Sequence, residues 1–180
     1  VTPTEILEHE HEIILLALDG AEREAQQIQN TGTVRAERVN QMLDFFRNFA
    51  DRCHHAKEED LLFVKMQERG VPTQGGPIGA MLQEHDQGRR MVTKAAEALP
   101  SAKEGDSQAV TAVKRNLLAF ARMLRAHIDK ENSILYPIAD RVFTAEDQQE
   151  LMEAFDRVEA EEMGEGTHER YHQLAHEWAG

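Results

Sequence analysis

The chain is poor in cysteine, proline, aromatic residues and positive charge, and it has no long apolar run. With Cys53 as its single cysteine it cannot form an intrachain disulfide, and nothing points to an oxidising compartment. No stretch approaches the ~20 apolar residues that span a bilayer, and no basic-then-apolar leader opens the chain. Lys and Arg total 20 against 33 Asp and Glu, a net charge of -13. That balance excludes a nucleic-acid surface, which needs clustered positive charge, and fits poorly with docking on anionic membrane. Val1 is an unusual first residue that fits removal of an initiator Met or trimming of the chain. A soluble cytoplasmic protein is the expectation. Strand-type alternation is scarce, and no internal repeat or low-complexity tract is seen.

Helix formers fill what remains, and 180 residues suffice for one domain with a real core. Thr2-Pro3-Thr4-Glu5 has a Thr cap, Pro at the first helical position and Glu at the third. It predicts a helix to about Asn30 with Leu7, His11, Ile14, Leu15 and Leu18 on one stripe. A second helix is predicted over 34–69, stopped by Gly70. The stretch Gly70 to Pro77 is the clearest loop. A third helix follows to about Ala98, with Ile78, Met81, Leu82, His85 and Val92 on one side, and Pro100 to Ser107 reads as a second loop. A fourth is predicted over 108–140, with Pro137 ending or bending it. Short connections between four long helices predict an all-α, up-down-up-down four-helix bundle over residues 1–143. Thr144-Ala145-Glu146-Asp147 restarts a helix, so 144–180 reads as a C-terminal helical extension packed on the bundle.

The chemistry lies in two His-x-x-x-Glu pairs, His54/Glu58 and His127/Glu131, and in His11 and His85 on two further helices. Residues four apart on a helix point one way. His54 is in line with Leu43, Phe46, Ala50, Leu61 and Leu62, whereas His55 is in line with Asn48, Asp51 and Arg52. His54 and Glu58 are therefore expected to face the core, and His55 and Glu59 to face solvent or to support the inner groups; the opposite register is the alternative. His127 is in line with Phe120, Met123, Leu124, Ile134 and Leu135. A lone histidine on such a stripe is more often a satisfied core residue than a ligand. Four of them with two carboxylates in one layer are different, because no Lys or Arg lies beside them on the apolar stripes except Arg89, one turn after His85. Such a pocket is expensive to bury unless a metal neutralises it.

Four imidazoles and two carboxylates are too many for one tetrahedral zinc, and calcium and magnesium prefer oxygen shells. Six side chains divide naturally between two octahedral ions bridged by carboxylates, which suits iron or manganese, with zinc as a substitute. The apolar walls would be Phe46, Leu61, Met81, Phe120, Met123 and Leu124. Cys53 reads as core, and Tyr136 as packing, with hydrogen bonding to a bound oxygen species as the alternative.

In this order Glu10-His11-Glu12-Ile13-Ile14, His54-His55-Ala56-Lys57-Glu58-Glu59, Gly76-Pro77-Ile78, Glu84-His85-Asp86 and His127-Ile128-Asp129-Lys130-Glu131 resemble the hemerythrin-like HHE cation-binding family over residues 4–140. The resemblance implies a non-haem diiron centre with an oxo or hydroxo bridge. It implies His11 and His127 on one iron, His54 and His85 on the other, and Glu58 and Glu131 bridging. His9 is the alternative first histidine, but the Ile14, Leu15, Leu18 stripe is in phase with His11. Oxygen-carrying members have a third-helix His pair one turn apart and a final Asp. Here Met81 and Arg89 flank His85 and the last group is Glu131, so one imidazole is missing and a coordination position is open. That moves the expectation toward handling of oxygen, nitric oxide, peroxide or iron, with an unidentified redox partner.

Two other patterns fit less well. A ferritin-like site needs Glu-x-x-His on two helices, and the bundle offers one such triplet, in Glu8-His9-Glu10-His11. His168-Glu169-Arg170-Tyr171-His172 matches the zinc-protease motif, but no sheet precedes it to frame a substrate, and His176 continues the row as a surface stripe.

Overall fold

A computed structural model describes residues 1–180, and its regular structure is entirely helical. Helix α1 is Pro3–Thr31. Helix α2 covers 36–68 and α3 is Gly76–Lys103. Helix α4 covers 107–142, α5 covers 145–163 and α6 is Thr167–Ala179. The Thr2 side chain accepts from the Glu5 amide and Glu5 reaches back to Thr2, a complete capping box. Thr144 and Asp147 repeat it at the start of α5, where buried Asp147 also takes the Arg69 guanidinium at the end of α2. No helix is long and apolar enough to cross a membrane.

The apolar core is split in two. A larger cluster holds Ile14, Leu18, Phe46, Phe49, Leu117 and Leu124 among others. A smaller one holds Leu7, Leu62, Met66, Ile78, Leu135 and Tyr136. Along α1 the chain runs from the small cluster (Leu7) to the large one (Ile14), along α2 from large (Phe46) to small (Leu62), along α3 from small (Ile78) to large (Val92), and along α4 from large (Leu117) to small (Leu135). The four helices therefore alternate up, down, up, down. The level between the clusters is where His11, His54, Glu58, His85, His127 and Glu131 lie, all buried.

Three local features differ from the reading of periodicity. Helices α2 and α4 are not α throughout: Phe46–His55, Glu58–Leu62 and Glu131–Leu135 are wound as π-helix. A π turn takes in an extra residue and shifts the phase of the residues beyond it. So Leu62 and Leu135 are buried while Leu61 is only half-buried and Ile134 is 51% exposed, although each pair fits the apolar stripe of its helix. Helix α3 runs through Pro100 to Lys103. Exposed Pro100 sits in the last turn, where the buried neighbours Leu99 and Ala102 hold the backbone in place against the lost hydrogen bond. Pro137 does not end α4, because it occupies the first turn of the α segment Tyr136–Val142 after the π turn, a position that tolerates proline.

Residues 144–180 share the bundle's core. Tyr171, Ala175 and Trp178 of α6 are buried in the larger cluster, with the Phe45 ring edge-on to both Tyr171 and Trp178. Gly20 of α1 makes this approach feasible: a Cβ there would lie 2.4 Å from Trp178 Cβ and 3.3 Å from its backbone. Gly20→Ala should therefore push α6 outward and cost about 1–3 kcal/mol, lowering Tm by several degrees. Trp178 is the only tryptophan, so its emission should shift to the red in the same variant. Unchanged Tm and emission would show that α6 does not dock there.

Candidate metal centre

Each of the four bundle helices sends one imidazole inward, and α2 and α4 each add a carboxylate one turn later. Both carboxylates open a π turn, Glu58 at Glu58–Leu62 and Glu131 at Glu131–Leu135. The groups converge through their Nε2 atoms. His54 Nε2 is 2.7 Å from Glu58 Oε1, and His85 Nε2 is 3.2 Å from Glu58 Oε2. His11 Nε2 is 3.0 Å from Glu131 Oε2, and His127 Nε2 is 2.8 Å from Glu131 Oε1. Each carboxylate thus spans the centre, with one oxygen toward the α1/α2 side and the other toward the α3/α4 side. His85 and His127 bring their Nε2 atoms within 3.1 Å of each other.

The donors form two groups that share both carboxylates: His11 and His54 with Glu58 and Glu131, and His85 and His127 with the same pair. Within each group the donor atoms lie within 4.8 Å of one another. The division differs from the one the resemblance implies, because at this level α1 faces α2 and α3 faces α4: the rings of His11 and His54 are 4.6 Å apart. His54 Nε2, Glu58 Oε2 and both oxygens of Glu131 are buried with no hydrogen-bond partner in the chain. Native proteins rarely leave such atoms unpaired. Metal cations held between these groups would satisfy them, so the donor set fits a metal centre.

Behind each ring stands an acceptor facing Nδ1. His11 Nδ1 donates to Asn132 Oδ1 (2.7 Å), His85 Nδ1 to Glu59 (2.7 Å) and His127 Nδ1 to Glu84 (3.1 Å), while Glu10 lies 3.5 Å from His54 Nδ1. An oxygen acceptor at Nδ1 fixes the tautomer that leaves the Nε2 lone pair free for a metal. Three of these acceptors are in turn held by cations: Glu10 by Lys57 (3.0 Å), Glu59 by Arg89 and Glu84 by Lys130. Lys57 also reaches Glu159 of α5 (3.1 Å), which accepts from the Cys53 thiol and from His168. Lys57 is a buried cation that the stripes do not reveal, although it adjoins Glu58 in sequence.

Glu59 takes the supporting place expected of it. His55 does not face solvent; it is buried and stacks on His85 with ring centroids 3.8 Å apart and planes 20° apart. Tyr136 is more than packing. Its hydroxyl donates to Glu58 Oε1 (2.9 Å), lies 3.3 Å from His11 Nε2, and its ring stacks on His11. Cys53 is buried, and burial pushes its thiol pKa up. His168 pairs with Glu159 while His172 meets His176, so the zinc-protease pattern does not assemble. A cavity of about 300 Å³ opens beside His85 and His55, lined by Phe46, Gly88, Phe120 and Met123.

Without a cation the two carboxylates hold protons on the rings. Burial alone would push the His54 imidazole down, but the charges of Glu58 and Glu10 outweigh it and raise its pKa to about 10. His85 behaves likewise under Glu131, Glu58 and Glu59, at about 11. Glu58 is opposed by burial and by Glu131, yet His54 carries it down to about 2. Burial keeps His55 neutral, at about 3. Raised imidazole pKa values stabilise the fold fully below the unfolded value near 6.5, and that contribution is lost as pH climbs through 10–11. The depressed Glu58 contributes above about 4.5 and loses its effect as pH falls toward 2. Metal-free protein should therefore lose thermal stability between pH 7 and 10, whereas metal-loaded protein should not. Loading at pH 7 should release protons, from His54 and His85 and from His127, whose imidazole pKa Glu131 also raises, readable with a pH indicator. Loading without proton release would contradict this charge balance.

Comparison with known proteins agrees with the geometry. Three uncharacterized proteins, one from Mycobacterium bovis and two from strains of Mycobacterium tuberculosis, are 26% identical over 170 residues. The match covers 92% of this chain and 64% of each relative, so the chain spans less than two thirds of the relatives' length. No solved structure matches the chain. Among protein families, the hemerythrin HHE cation binding domain matches residues 2–139.

Proposed function

The chain belongs to the hemerythrin HHE cation-binding domain family, and on that premise we propose that it is a non-haem diiron protein that engages dioxygen, nitric oxide or peroxide. Glu58 and Glu131 would be shared between the two irons, with His11 and His54 holding one and His85 and His127 the other. The observation that carries this reading is the disposition of the two carboxylates: each turns one oxygen to either side of the centre, and three of the four oxygens lack a partner in the chain. Mixed imidazole and carboxylate donors for two octahedral ions favour iron, with manganese or zinc as substitutes. When bound, the ion pair supplies redox chemistry toward a small oxidant or gas.

The chain's own residues set the conditions for that chemistry. Phe46, Met81, Phe120 and Leu124 are buried around the centre and exclude water. The cavity beside His85 brings small molecules close. Burial and the Glu58 charge raise the Tyr136 phenol well above its usual range, so it keeps its proton at Oη beside Glu58 and His11. The Tyr136 hydroxyl, within hydrogen-bond reach of Glu58 and His11, supports a second reading, a diiron enzyme that consumes peroxide or nitric oxide. We place the protein in the cytoplasm, a reading supported by the free thiol of Cys53.

Iron-loaded protein should be reduced and mixed in turn with oxygen, nitric oxide and peroxide. A stable absorbing adduct assigns binding, catalytic loss of the added molecule assigns an enzyme, and loss of iron to a chelator assigns a donor. No spectral response to any of the three overturns the proposal. Tyr136→Phe should keep both irons but slow peroxide loss on the order of a hundredfold if the phenol is the proton source.

A further inference from the structure

The histidine row of α6 is split between two tasks. His168, in the first turn, pairs with Glu159 at 2.7 Å and belongs to the contacts that reach the centre through Lys57. His172 and His176 turn elsewhere. They stand four residues apart on one face of the helix, with His172 half-buried and His176 exposed. Their Nε2 atoms are 2.9 Å apart, and their ring centroids are 4.7 Å apart with the planes tilted by 44°. Neither ring has another hydrogen-bond partner in the chain. They are not needed for the core, because the face that α6 buries carries Tyr171, Ala175 and Trp178.

The spacing of the two nitrogens is selective. Two nitrogens bound at about 2.05 Å on adjacent corners of a square or an octahedron lie ~2.9 Å apart, whereas on a tetrahedron they lie ~3.3 Å apart. The observed separation matches the right-angled case. Imidazoles in that geometry suit Cu(II) and Ni(II), and Cu(II) is the tightest binder among the first-row divalent ions. Two neutral rings can share a single proton. Moved to Nδ1, that proton leaves both Nε2 lone pairs facing one ion, with no net loss of charge. The helix has already fixed the spacing, so once one ring holds the ion the second binds it at high effective concentration. The net charge of -13 draws cations to the surface on which the pair lies.

We propose that His172 and His176 form a second, solvent-facing metal site, a two-imidazole chelate for a cupric ion whose remaining positions are taken by water. It uses none of the six inward donors, so it stands whether or not the buried centre holds iron.

Copper(II) titrated into the full chain as purified gives the test. Trp178, the only tryptophan, follows His176 within the same turn of α6, so a paramagnetic ion on the pair should quench its emission. Wild type should be quenched with saturation. His172→Ala and His176→Ala should each raise the half-saturating copper concentration about a hundredfold, because each leaves a single ring in place of a chelate. The double variant subtracts whatever copper the buried centre takes, and wild type should bind one copper per chain more than it does. The electron paramagnetic resonance spectrum of that extra copper should be tetragonal and split by two equivalent nitrogens. Quenching and copper content that are the same in wild type and the double variant place the copper elsewhere and overturn the proposal. So does an extra copper split by one nitrogen or by none, a readout on wild type that decides the matter even where a variant fails to fold. Iron content, measured on the same samples, reports on the diiron reading separately.

Discussion

The structure depends on holding two carboxylates and four imidazoles in a dry layer. Glu58 and Glu131 are fully buried, and no lysine or arginine touches either. Removing a carboxylate from water costs several kcal/mol per ion unless a partner compensates. The imidazoles can do so only by taking protons, which leaves several oxygens unpaired. Metal cations would match the layer better: the carboxylates would offset part of their charge and the inward lone pairs would acquire a partner. The apolar clusters above and below then serve as walls of a low-dielectric compartment, in which charge interactions are strong.

Around that layer the chain distributes its remaining charge in a consistent way. The acceptors that orient the rings are acidic at His54, His85 and His127, and each is steadied by a cation from the next turn or the next helix. One of these contacts extends furthest. Glu10 leads to Lys57, Lys57 to Glu159, and Glu159 to His168, so the last two helices take part in positioning His54. With Trp178 and Tyr171 in the larger core cluster, residues 144–180 support the centre as well as cover it.

Much of this was legible in the sequence, for a physical reason. Burying a bundle helix requires a stripe of period 3.6, and His11, His54, His85 and His127 stand in phase with such stripes, so their inward direction could be read off. Two kinds of information could not be. The π segment Phe46–His55 and the π turns at Glu58 and Glu131 change the period around the site, which hid the burial of His55 and placed Leu61 and Ile134 on faces they do not fully occupy. Pairings between helices depend on which helices are neighbours at a given level. Glu84 with His127, Asn132 with His11, and the division of rings between the two sides all come from that arrangement and leave no trace in local spacing. Lys57 shows both effects: it adjoins Glu58 in sequence, and its buried partners come from α1 and α5.

The central claim is that six side chains hold two irons in one buried layer. Elemental analysis with an optical spectrum, on protein purified from iron-replete cells with no metal added, tests it most directly. The account predicts about two irons per chain and near-ultraviolet absorption from an oxygen-bridged ferric pair. Folded protein carrying well under one transition-metal ion per chain, with no such absorption, would contradict it.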